Sequence, residues 1–189
     1  VRDTLDEAKI EKMSESLMPD FAAFNEATEK NDDEAHRRIL ARMVNTQREI
    51  DRWLATQAAK MSSALDVSSL RSDEERIAQL LQAFAFGGKL ARICTDIIGD
   101  AKAGNKAEEQ AYGAGHAIKA IDTDGKLPLA VFLDDPDPSV RAIAASLLVE
   151  IIPDRALPVL EEIVKVNSTD SAGLTAFWAL TMHKIDLKK

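Results

Sequence analysis

A chain of 189 residues with 46% apolar and 30% charged side chains is too apolar to be disordered and long enough for one core or two small ones. Its 24 basic and 32 acidic residues leave a net charge of −8, divided evenly as −4 over residues 1–66 and −4 over 67–189, which argues against a hidden basic face for nucleic acid. No apolar run reaches the ~18 residues of a spanning helix, and a lone cysteine, Cys94, excludes a disulfide framework or a cysteine-based zinc cluster.

Taken in order, the chain reads as helix after helix, with Ala, Leu, Glu and Lys frequent and strand-like alternation almost missing. Val1 to Asp6 do not read as a signal peptide, so the expected location is the cytoplasm. A first helix is expected over about 4–17, on Leu5, Ala8, Ile10 and Leu17. Pro19 should break it or open a short helix carrying Phe21, Phe24 and Ala27. The caps offered by Asn31, Asp32 and Asp33 lead into a long helix to about residue 64, whose stripe is Ile39, Met43, Ile50, Trp53, Leu54 and Met61.

Residues 66–73 are the expected linker, and Ser72 with Glu75 forms a capping box for the next helix. Gly87-Gly88 marks a kink, a split or close packing, and Gly99 and Gly104 should bracket a break. Shorter helices follow at about 106–121, 126–134, 138–152, 154–166 and 170–185, with Asp137 capping one that starts at Pro138 and Pro153 stopping it. Connections this short force neighbouring helices to lie antiparallel.

Leu127-Pro128-Leu129 through Leu133-Asp134-Asp135-Pro136-Asp137-Pro138-Ser139-Val140-Arg141, continuing to Leu147-Leu148, resembles a HEAT repeat. In that family a helix ending in leucines meets an Asp/Pro turn, and Val-Arg opens a second helix. The resemblance implies that Asp135, Asp137, Pro138 and Arg141 build the turn, with Asp135 and Arg141 paired across it. Over about 73–185 the order of marks also resembles the bacterial DUF2019 family. Those marks include Pro153 before Arg155-Ala156-Leu157-Pro158-Val159-Leu160, and Ala172-Gly173 before Trp178-Ala179-Leu180. No catalytic residues come with either resemblance. A strict repeat is absent, so the array is irregular.

Candidate chemistry is sparse. Asp32, Asp33 and His36 have spacing for a metal, against a solvated helix start as the ordinary reading. His116 lies one turn after Tyr112 and would need an acid such as Glu109 to act as a base, and His183 suits a helix C-terminus. Cys94, with only Arg92 as a cation nearby, reads as a buried thiol. Gly113-x-Gly115 and Gly87-Gly88 lack the strand and Lys-Ser/Thr context of a phosphate loop. Arg37, Arg38, Arg42, Arg48 and Arg52 are diluted by Glu34, Glu49 and Asp51 and read as a solvated face. Trp53 and Trp178 fall on helical stripes and should pack in the core; whichever is exposed is the interface anchor.

The expectation is therefore an all-α protein: an N-terminal helical hairpin or bundle (1–66), then a short irregular HEAT-like array (73–185). No catalytic, cofactor or metal site is assigned. The expected function is a non-enzymatic protein-interaction module, in its sharper form an immunity or antitoxin-type binder covering a basic toxin. The alternatives are a HEAT-like enzyme or accessory subunit of lyase or nucleic-acid repair type, and a structural protein that dimerises through 1–66.

Overall fold

The computed structural model describes residues 7–30, 32–70, 72–122, 125 and 127–186. Within them, the side chains of residues 7, 9, 10, 13, 14, 16–18, 21, 28, 36, 185 and 186 fall outside the description, as does Leu5 altogether. All regular structure among the described residues is helical. None of these helices is long and apolar enough to cross a membrane.

Contacts group the chain into two compact units, Val1–Ala59 and Lys60–Lys189. The first holds helix α1 (Glu7–Glu29) and most of α2 (Asp33–Leu65). Asp32 opens α2 by accepting from Ala35 N–H at 2.9 Å. Arg42 on α2 meets Asp20 on α1 at 2.7 Å, while Ala27, Ile39 and Ile50 are buried. α1 runs unbroken through Pro19, contrary to the expected break. Pro19 and Glu15 are both exposed, so the Glu15 carbonyl that loses its donor is offered to water.

The second unit begins with the end of α2 and continues through α3 (Asp73–Arg92), whose capping box of Ser72 and Glu75 forms as expected. α3 passes into a π-helical turn, Ile93–Ile98, which Gly99 closes in the left-handed conformation at φ 79°. α4 (Ala101–Ile121) is capped by Asp100. Gly104 thus lies inside a helix and does not precede one. Its missing Cβ would stand 1.9 Å from Thr95 Oγ1, so this glycine admits a hydroxyl where a break was expected. Gly87 and Gly88 also leave α3 continuous: a Cβ there would press to 2.9 Å on Met61 Cε and Val140 Cγ2 respectively. Gly87 faces Ala107 and Ala111, and Phe84 faces Gly115, so positions ascend on α3 as they descend on α4. The pair is antiparallel and closely packed because its interface is Gly and Ala.

Residues 128–134 form a 3-10 segment, not the α-helix expected there. Seven residues lie between Leu127, held at φ 50°, and the Asp-Pro turn. Bonds three residues apart, such as Ala130 N–H to Leu127 O at 2.9 Å, suit so short a span. Phe132 of this segment stacks on fully buried Phe84, ring centres 5.0 Å apart. Then come α5 (Pro138–Leu148), α6 (Pro153–Val166) and α7 (Ser171–Asp186), packed on one another. Pro153 opens α6, whereas it was expected to end the helix before it, because its fixed φ and absent N–H suit a first position.

The Asp-Pro turn is built differently from the pairing the HEAT resemblance implied. Arg141 Nη1 donates to the main-chain carbonyl of Asp135 at 2.9 Å, and the Asp135 carboxylate accepts from Asp137 N–H. Asp137 is buried and does two jobs. One oxygen caps α5 through Ser139 and Val140 N–H; the other receives Arg92 Nε of α3 at 2.9 Å. The closer of the long-range charge pairs of this turn is Arg92–Asp137; Arg141 Nη2 lies 3.9 Å from Glu162 of α6.

Candidate functional site

α7 has the composition of a helix that wants cover all round. Its inward stripe, Ala172, Ala176 and Leu180, is buried with small side chains that draw the helix close to α5 and α6. The other face is also apolar. Leu174 (58% exposed), Trp178 (56%) and Met182 (57%) follow at steps of four, and Phe177 (51%) meets Trp178 edge to face at 5.9 Å between ring centres. Core packing was expected for both tryptophans; Trp178 instead lies out, because the inward stripe of α7 is already filled by Ala172, Ala176 and Leu180. Trp53, in the first unit, is half-buried.

Leu174, Trp178 and Met182 form the apolar wall of an open groove of about 800 Å³ between α4 and α7. Across it stand Glu108, Tyr112, His116 and Lys119 of α4, with Ser146 and Leu147 of α5 and Val149 and Glu150 just past its end. Ser146 donates to Ile143 O at 2.8 Å, so its single hydroxyl proton is committed, and Tyr112 must be the donor in the 2.9 Å contact between them. Burial, with Glu108 adding to it, raises the Tyr112 phenol above its ordinary value against the lowering effect of Ser146. His116 is exposed and lies over Tyr112, ring centres 6.5 Å apart. Lys119 Nζ donates to Leu147 O at 3.1 Å, satisfying a terminal carbonyl of α5. Chemically this groove offers an apolar shelf opposite a mixed polar rim, which suits a side chain or short segment of another molecule.

The structure brings His116, His183 and Trp178 into the same groove, and the acids beside them there are Glu108 and Glu150, not Glu109. The His36 side chain lies outside the described residues, so the Asp32/Asp33/His36 arrangement does too. Asp32 itself is engaged as the cap of α2. Cys94 is buried in the π turn, and burial, with Asp100 next, pushes its thiol up to about 12, so it is held as an unreactive thiol. On α2, Arg38 pairs with Glu34 and Arg42 with Asp20, which leaves the arginine cluster partly neutralised. The groove itself was missed in the sequence. Its one legible sign was the run Leu174 to Met182, where apolar residues occupy every side of the helix. The chain matches no protein-family model, no curated protein and no solved structure.

Proposed function

We propose that this chain is a non-enzymatic protein-interaction module of the bacterial cytoplasm, a short HEAT-like array that grips a partner protein through the α4/α7 groove. The observation that carries the reading is the exposed stripe Leu174, Trp178 and Met182 beside a concave surface. Large apolar side chains gathered on one exposed helix face mark contact sites, and tryptophan is the commonest anchor in them. The net charge of −8 favours a basic partner, as in an immunity or antitoxin-type protein covering a toxin. A homodimer through residues 1–66 would use Leu40 and Val44, the exposed large aliphatic pair on α2.

An enzyme is the second reading, favoured by His116, His183, Glu108 and Glu150 sharing one groove. The two readings separate on paired variants of the tagged chain, expressed in its native host. Under the interaction reading a stoichiometric partner co-purifies, Trp178→Ala loses it with at least ~2 kcal/mol of binding, and His116→Ala keeps it. A partner retained by Trp178→Ala would overturn the reading, as would the lack of any stoichiometric partner.

A further inference from the structure

Large exposed apolar side chains follow one another at steps of four on two helices, one in each compact unit. On α7 they are Leu174, Trp178 and Met182; on α2 they are Leu40 (47% exposed) and Val44 (40%). The surroundings of the α2 pair are basic. Residues 35–48 contain four arginines and no carboxylate, in a chain of net charge −8. Arg37, Leu40, Val44 and Arg48 share one helix face, at steps of three, four and four, so an arginine stands at each end of the apolar pair. Arg38 and Arg42 are taken up by Glu34 and Asp20, whereas Arg37 and Arg48 enter no ion pair among the described residues.

The α4/α7 groove has the complementary form. Its wall carries the carboxylates Glu108 and Glu150, and the ammonium of Lys119 is turned onto Leu147 O. Its other polar groups are largely engaged within the fold: the Thr175 hydroxyl with Glu108, and Tyr112 with Ser146. An extended segment laid there would bring main-chain N–H and C=O groups that find few partners, whereas a helix pairs its own. The lengths agree as well. Leu174 to Met182 covers about 12 Å of α7, and Arg37 to Arg48 covers about 16 Å of α2. Side-chain rows at steps of four on both helices give the commonest way in which helices interdigitate.

We propose that α2 of a second copy of this chain docks in the α4/α7 groove, setting Leu40 and Val44 on the Leu174/Trp178/Met182 ridge and the two arginines toward Glu108 and Glu150. Each copy has one groove and one such face, so a reciprocal pair makes the contact twice and closes as a dimer. This rests on the reading of the groove as a protein-contact site. A monomer that still loses a foreign partner in Trp178→Ala would sink the self-association alone. The test is sedimentation velocity of the intact chain over a concentration series, with Trp178→Ala and Leu40→Asp. The parent should dimerise, and each variant should weaken the dimer about tenfold or more, since each damages both contacts. Both residues are exposed, so the far-UV circular dichroism should stay that of the parent; Met182→Ala and Val44→Asp replace a variant whose spectrum changes. Mixing the two variants should restore a dimer with one copy of each, because one keeps its α2 face and the other its groove. A parent that stays monomeric, a variant that dimerises as the parent does, or a mixture without rescue would each overturn the proposal. An α7-to-α7 contact would spare Leu40→Asp, and an α2-to-α2 contact would spare Trp178→Ala.

Discussion

Gly113 and Gly173 both sit inside helices of the second unit, yet a methyl group added to each has opposite consequences. At Gly113, exposed on α4, a Cβ would meet nothing within 4 Å. Alanine there restricts the unfolded chain without cost to the folded one, so Gly113→Ala should stabilise by about 0.5–1 kcal/mol. At Gly173, buried in the first turn of α7, a Cβ would stand 1.6 Å from Asn167 O and 2.6 Å from its carbonyl carbon. These are backbone atoms of the loop before α7, and they cannot move aside as a side-chain end can. Gly173→Ala should therefore destabilise by roughly 3 kcal/mol or more, at the severe end of single substitutions. Urea melts of the two variants check both signs, and a loss at Gly113 or a neutral result at Gly173 would contradict the packing described.

Among the helices, one side chain ties elements that are distant in sequence. Asp137 caps α5 with one carboxylate oxygen and holds Arg92 of α3 with the other, 45 residues away. Removing it exposes α5's first amides and takes the carboxylate from a part-buried guanidinium. Asp137→Ala should cost about 3 kcal/mol, combining a cap worth ~1 with the loss of a largely desolvated ion pair. Asp137→Asn keeps the cap oxygen and drops the charge, so in denaturant melts its loss should fall below that of Ala. The cap was legible in the sequence, because Asp-Pro before an apolar helix is a local signal. The partner was not, because nothing local in Arg92 says which carboxylate it will meet. The same division explains the glycines. Gly87, Gly88 and Gly104 signal weakness in an isolated helix, but here each admits a neighbour that only the tertiary fold supplies. Trp178 shows the converse: its helix was legible and its outward direction was not, since α7 has apolar residues on both faces and only packing decides which is covered.

At the scale of the whole molecule, burial is distributed unequally between the two compact units. Every member of the large buried cluster, from Met61 through Phe84, Leu129 and Ile143 to Leu180, belongs to residues 60–189. The α4/α7 groove is lined from that unit alone. Among the described residues of 1–59, the buried apolar side chains are Ala27, Ile39 and Ile50. A core that small leaves a segment of this length marginal, because below about 60 residues the surface that can be buried barely offsets the loss of chain entropy. Separate expression of the two pieces should then give different results. Residues 60–189 should remain helical and unfold in one cooperative transition, keeping the response of Gly113→Ala seen in the full chain. Residues 1–59 should lose helicity on dilution, because their helices need a second surface, and the exposed Leu40 and Val44 would supply it only through self-association. Circular dichroism across a concentration series decides the matter. A non-cooperative 60–189, or a 1–59 whose helicity is independent of concentration and melts sharply, would show that stability is shared in a way the distribution of buried side chains does not express.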